Sequence, residues 1–156
     1  MQTMRRKDRE ITDALFIEKV LNDSVYGSLG LCDNGEPYVV PMSYAWSDNK
    51  LWFHCANEGR KLDIIRANPK VCFQVTGVTE PIVAEDACRS GMLYSSVIIL
   101  GTASIIEEHE EKSAALEKLM QHFSKEFSHK FSQEETNRVT IISIKPDKIT
   151  CKARLK

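Results

Sequence analysis

No stretch of this sequence stays apolar for the roughly 20 residues that a helix needs to cross a bilayer, and the opening residues carry no apolar segment of the signal-peptide kind. Together these absences give the expectation of a cytoplasmic protein with no membrane partner. An excess of one charge is missing too. The 21 basic residues stand against 22 acidic ones, which excludes a general attraction to nucleic acid or to an anionic surface. The basic run Arg5-Arg6-Lys7 is followed at once by Asp8 and Glu10, so it is not a polybasic tail. Cys32, Cys55, Cys72, Cys88 and Cys151 form no C-x-x-C pair and are odd in number, which reads as reduced thiols rather than a disulfide framework. Cys32, Cys55 and Cys72 fall in apolar strand patterns, where a small buried hydrophobe is expected. His109-Glu110-Glu111-Lys112-Ser113 breaks the H-E-x-x-H pattern, and His122 and His129 are seven apart, so no zinc site is expected.

With 156 residues the chain has the length of one ordinary domain, 1–156, large enough for a core of its own. Its most informative stretch is 37–75, which reads as strand, turn, strand, helix, strand. Along Leu51 to Ala56 the period of two puts Leu51, Phe53 and Cys55 on one face and Trp52, His54 and Ala56 on the other. The next helix, Gly59 to Ala67, opens with Gly59-Arg60-Lys61 and stops at Asn68-Pro69. The unpaired N–H groups of a helix start carry partial positive charge, so two cations there add repulsion unless an anion is bound. Gly59 lets an anion such as a phosphate approach the backbone closely. Solvated cations on a helix surface are the alternative reading. His54 is likewise open to a ligand-facing role or a structural one.

Around this stretch the pattern is mostly strand. From Asp8 to about Asn22, apolar Ile11, Ala14, Leu15, Ile17, Val20 and Leu21 recur at helical spacing. Val25 to Cys32 reads as a strand, Asp33-Asn34-Gly35 as a turn, and Pro37 to Trp46 as the hairpin partner. Because Pro41 lacks an N–H, that partner is an edge, bulged or interrupted strand, with backbone groups of Val40, Met42 and Ser43 either offered to a ligand or simply solvated. Val71 to Val75 is a further strand, Thr76 to Arg89 a short strand and loop, and Met92 to Ile106 a long strand bent at Gly101. Glu107 to about Phe123 is an amphipathic helix whose stripe of Leu116, Leu119, Met120 and Phe123 is core or subunit contact. Ser124 to Asn137 includes a short helix, and Val139 to Ile144 and Ile149 to Arg154 are strands joined by a turn at Lys145-Pro146-Asp147.

Taken in order, Met4-Arg5-Arg6-Lys7-Asp8-Arg9-Glu10-Ile11, Gly35-Glu36-Pro37-Tyr38-Val39-Val40-Pro41, Phe53-His54-Cys55-Ala56 with Gly59-Arg60-Lys61, Tyr94-Ser95-Ser96-Val97, and Lys152 with Arg154 make a recognisable series. The series resembles the FMN-binding split barrels related to pyridoxamine 5'-phosphate oxidase, and among them the nitroimidazole-resistance (Nim-type) branch. The resemblance implies an α+β, mainly β fold: an antiparallel split β-barrel of six to eight strands with flanking helices. It implies FMN as cofactor, with the phosphate on Arg60 and Lys61 next to Leu62 and the ring along Val40, Pro41, Met42 and Ser43, beside His54, Cys55 and Ala56. A second contact region is implied at Ser95, Ser96 and Val97, although strand serines also serve local geometry. Also implied are a catalytic role for His54, a homodimer with FMN at the subunit interface, and electron transfer from NAD(P)H to a small organic acceptor, nitroimidazole-type compounds included. The rival is a non-catalytic flavin- or haem-binding module for storage or sensing, with His54 as an axial ligand. The tail Thr150-Cys151-Lys152-Ala153-Arg154 departs from the arginine-and-histidine pattern that holds pyridoxal phosphate, so vitamin B6 oxidation is not implied.

Overall fold

Eight strands and four α-helices build the computed structural model, which describes residues 4–155. In chain order they are β1 (Glu10–Ile11), α1 (Ala14–Asp23), β2 (Tyr26–Asp33), β3 (Glu36–Ser43), β4 (Ala45–Ser47), β5 (Lys50–Cys55), α2 (Arg60–Ala67), β6 (Lys70–Ile82), β7 (Gly91–Ile106), α3 (His109–Phe123), α4 (Gln133–Asn137) and β8 (Thr140–Arg154). All strand pairs are antiparallel, in the order β3-β2-β6-β7-β8-β5-β4, with β1 added on β8.

The two margins of this sheet, β3 and β4, are consecutive in the chain with Tyr44 alone between them. The sheet therefore has to curl until its margins meet. Among the described residues no ladder joins them, so the barrel is split along one seam. Tyr44 fixes that meeting point. Its side chain is fully buried, its hydroxyl donates to the Leu21 carbonyl at 2.6 Å, and its ring meets Phe73 edge-on at 4.9 Å.

Alternation sorts the strands into two faces. Leu29, Phe53, Phe73, Ile99, Ile142 and Ile144 fill the barrel, with Val20 and Leu21 of α1 and Leu62, Ile64 and Ile65 of α2 packed into the same core. A smaller cluster lies outside β5 and β8, where Ala115, Leu116 and Leu119 of α3 cover Trp52 and Ile141. Trp52, on the opposite face from Phe53, is thus also buried, at 7% exposure, and its indole N–H donates to the Ser47 carbonyl at 3.1 Å. Among the described residues no helix is long and apolar enough to cross a membrane.

Several elements depart from the sequence reading. The opening helix begins only at Ala14, because Glu10 and Ile11 pair with Lys152 and Cys151 of β8 and extend the sheet. The strand expected over Pro37 to Trp46 breaks at Tyr44. β6 runs on to Ile82 through a register shift between Thr76 and Thr79, where a short strand and loop were expected. The last two expected strands are one, β8, continuous through Pro146. Pro146 sits opposite Gly101, at a bulge and beyond the last pairing with β5, where a missing N–H is tolerated. Of the three cysteines read as buried, Cys32, Cys55 and Cys72 are only partly covered, whereas Cys151 is buried; all five are free.

Candidate functional site

The chain leaves β5 at Cys55 and re-enters regular structure at Arg60 through Gly59, whose φ is +130°. Side chains rarely adopt that conformation, and nothing lies within 4 Å of the position a Cβ would take, so the turn needs glycine and leaves open space before α2. Among the described residues no side chain caps the helix. The amides of Leu62 and Asp63 reach back to the Gly59 carbonyl at 2.9 and 3.4 Å, and those before them belong to the set a helix start leaves unsatisfied.

The two cations at this start are in different states. Lys61 is partly buried, and its ammonium donates to the Met42 sulfur at 3.5 Å, a weak acceptor, with no carboxylate paired to it among the described residues. Arg60 is exposed and shared between Asp33 at 3.4 Å and Glu36 at 3.3 Å, with its guanidinium 4.9 Å from the centre of the Tyr38 ring. Exposed contacts of this length contribute at most about 1 kcal/mol. An anion arriving at the uncapped helix start therefore finds Lys61 free and Arg60 exchangeable. The donors fit a phosphate.

His54 projects from β5 on the face away from the barrel, and its ring reaches solvent. Burial by its surroundings, and secondarily the charge of Lys61, push its pKa below the ordinary value, so the imidazole is neutral at neutral pH. Burial raises the Cys55 thiol, which Lys61 only partly offsets, so it is no ready nucleophile. Asn57 anchors the turn between them. Its amide donates to the Asn137 carbonyl at 2.7 Å, and its oxygen accepts from the Thr140 hydroxyl at 3.0 Å. Nothing in the sequence marks this residue, because its partners are about 80 positions away. Of the carboxylates that hold Arg60, Asp33 was legible only as a turn residue and Glu36 only as a member of the series Gly35 to Pro41.

Of the β3 residues, Val40 and Met42 turn toward the core, while Pro41 and Ser43 alternate to the outside. Since β3 is a margin of the sheet, its backbone is open toward the seam. Leu62 is fully buried, and Ala56 is exposed in the turn. The structure thus brings Met42, Cys55, Ala56, Arg60, Lys61 and Leu62 to one end of the seam, with His54 adjacent. It does not bring Ser95, Ser96 and Val97 there. β7 is the middle strand of the seven in the path, so curling puts it across the barrel from the seam. The three also divide between faces: Ser95 and Val97 point inward and are buried, and Ser96 points outward. Among the described residues no group of three or more His, Cys, Asp or Glu could hold a metal.

The family model described as Pyridoxamine 5'-phosphate oxidase matches residues 13–153. The chain is similar to the crystal structure of a candidate 5-nitroimidazole antibiotic resistance protein from Bacteroides thetaiotaomicron, with 27% identity, 92% of this chain and 85% of that one covered, and a TM-score of 0.82. An FAD- and haem-binding protein from Mycobacterium smegmatis shares the fold at 18% identity, with 95% and 74% covered and a TM-score of 0.85. An uncharacterised protein of Rhizobium meliloti is 43% identical over 73 residues, which are 47% of this chain and 41% of that protein, so the match spans less than half the length of this curated relative.

Proposed function

The chain belongs to the pyridoxamine 5'-phosphate oxidase family, and from that premise we propose an FMN-dependent oxidoreductase that passes electrons from NAD(P)H to a small organic acceptor. Bound FMN supplies the two-electron redox chemistry. The chain's own residues have the tasks of holding, orienting and admitting. Lys61 and the uncapped start of α2 hold the phosphate, joined by the forked guanidinium of Arg60 once Asp33 and Glu36 let go. The seam-facing backbone of Val40, Pro41, Met42 and Ser43 would border the ring, with Cys55 and Ala56 leading into the turn and Leu62 anchoring the first turn of α2. His54, neutral and solvent-reaching, orients the acceptor by a hydrogen bond, donated by its protonated ring nitrogen or accepted by the other.

The placement of β7 supports a homodimer. Ser96 reaches a flavin site only if a second copy supplies it, and the outward side chains beside it, Ile98 and Leu100, are 40% and 46% exposed. Such an apolar outer face supports burial against a second copy, with the cofactor between subunits. The free cysteines support a cytoplasmic setting. Nitro compounds are the first acceptors to test, since the Bacteroides neighbour carries a nitroimidazole-resistance name.

The observation that carries this reading is the Lys61 ammonium, partly buried and, among the described residues, without a carboxylate, beside an uncapped helix start. Arg60→Ala combined with Lys61→Ala is expected to lose flavin during purification while keeping its far-ultraviolet spectrum; full occupancy in that variant ends the phosphate assignment. Bleaching of the flavin band by NADH or NADPH under anaerobic conditions tests turnover. The exposed His54 imidazole also favours a second reading, a flavin- or haem-carrying module, as the name of the Mycobacterium neighbour suggests. A Soret band that His54→Ala removes would support it.

A further inference from the structure

Where the register of β6 against β7 breaks, between Thr76 and Thr79, the barrel wall opens beneath α1. Gly77 and Val78 are the unpaired residues of that break, and a cavity of about 580 Å³ lies against them, in the size range of small-molecule sites. Its walls are apolar, with Phe16 and Val20 on the α1 side and Val25, Tyr26, Val78 and Leu155 toward the mouth. None of Arg60, Lys61 and His54 lines it.

One buried polar side chain stands in this cavity uncommitted. Ser95 is 6% exposed, and among the described residues its hydroxyl makes no hydrogen bond. Among the described residues no buried polar side-chain atom is sealed off without a partner, so this hydroxyl keeps access to the cavity it lines. Gly77 preserves that access, for a Cβ there would stand 2.3 Å from Ser95 Oγ. Of the other polar side chains around the cavity, the Tyr26 hydroxyl stands at the exposed mouth and the rest are engaged. Lys19 pairs with Asp23, the Ser24 hydroxyl donates to the Thr76 carbonyl at 3.4 Å, and the Thr76 hydroxyl accepts from Gln74 at 2.6 Å. The cavity offers no free charge, so it favours a neutral ligand. A hydroxyl that faces the cavity without a protein partner is free to donate to, or accept from, a ligand oxygen.

We propose that this cavity is a second binding site, for a neutral, largely apolar compound of one or two rings whose single oxygen meets Ser95 Oγ. Its occupant is not the flavin, and the site stands whether or not the redox reading does.

The probe is 1-naphthol, a neutral two-ring phenol, measured by equilibrium dialysis against the full chain as purified, with and without added FMN. Saturable binding of one naphthol per chain is expected. Ser95→Ala, which removes one oxygen and leaves the packing, should weaken it about five- to tenfold. Gly77→Ala should weaken it further, and both variants should keep the flavin occupancy of the parent. Equal affinity in Ser95→Ala, no saturable binding to the parent, or competition between FMN and naphthol would each overturn the proposal. So would a change of sedimentation in Ser95→Ala with naphthol binding unaltered, because the cavity would then be a seam between subunits. Loss of flavin from the Arg60 and Lys61 variants bears on the redox reading alone, so the two can fail separately.

Discussion

Burial first, and the Lys61 charge second, hold the His54 imidazole below its ordinary pKa. As pH falls the unfolded chain therefore takes up this proton before the folded one does. The stability linked to His54 is full above the unfolded value of about 6.5 and is lost as pH drops toward the folded value. Lys61→Met removes one of the two causes, so the His54 ring should titrate higher, followed by its Cε1–H proton resonance. An unmoved titration would mean that the ammonium and the ring are not coupled. A phosphate on Lys61 should act in the same direction by offsetting its charge, which makes the His54 titration a reporter of anion binding that is independent of turnover.

Among the elements, the longest strands depend on their irregularities. β7 and β8 stay paired because the register shifts between Leu100 and Gly101, leaving Asp147 free to pair with Lys70 at 3.0 Å. A Cβ at Gly101 would come within 2.6 Å of the Lys145 carbonyl and 2.7 Å of an Ile144 methyl. Gly101→Ala should therefore cost about 1–3 kcal/mol, read from the urea midpoint; an unchanged midpoint would show that the bulge relaxes freely. This bulge also marks where sequence reading stops. Lys145-Pro146-Asp147 has the composition of a turn, and only the facing glycine, more than 40 residues earlier, makes it strand. By contrast, β5, the Gly59 turn and α2 were legible because each is fixed locally, by alternation, by glycine at positive φ and by Asn68-Pro69. The burial of Trp52 was not, since it depends on α3 arriving from much later in the chain.

For the whole molecule, the site as read from sequence is two half-sites on opposite walls of one barrel, one at Lys61 and one at Ser96. Motif order along the chain carries no information about which wall a residue joins, so that division had to come from the fold. If two copies complete each other, Leu100→Glu should give monomers by sedimentation velocity and should also lower flavin occupancy. Monomers that retain full flavin would confine the cofactor to the Lys61 side of a single chain.

Because the barrel's margins are tied by Tyr44 and, among the described residues, no ladder laces them together, the free side of β3 is left to solvent or a bound molecule to shield its amides. Deuterium should enter the peptide spanning 36–43 quickly in the empty protein and slowly once FMN is added. The unlaced margin would then work as a clock for occupancy, readable even in variants that catalyse nothing.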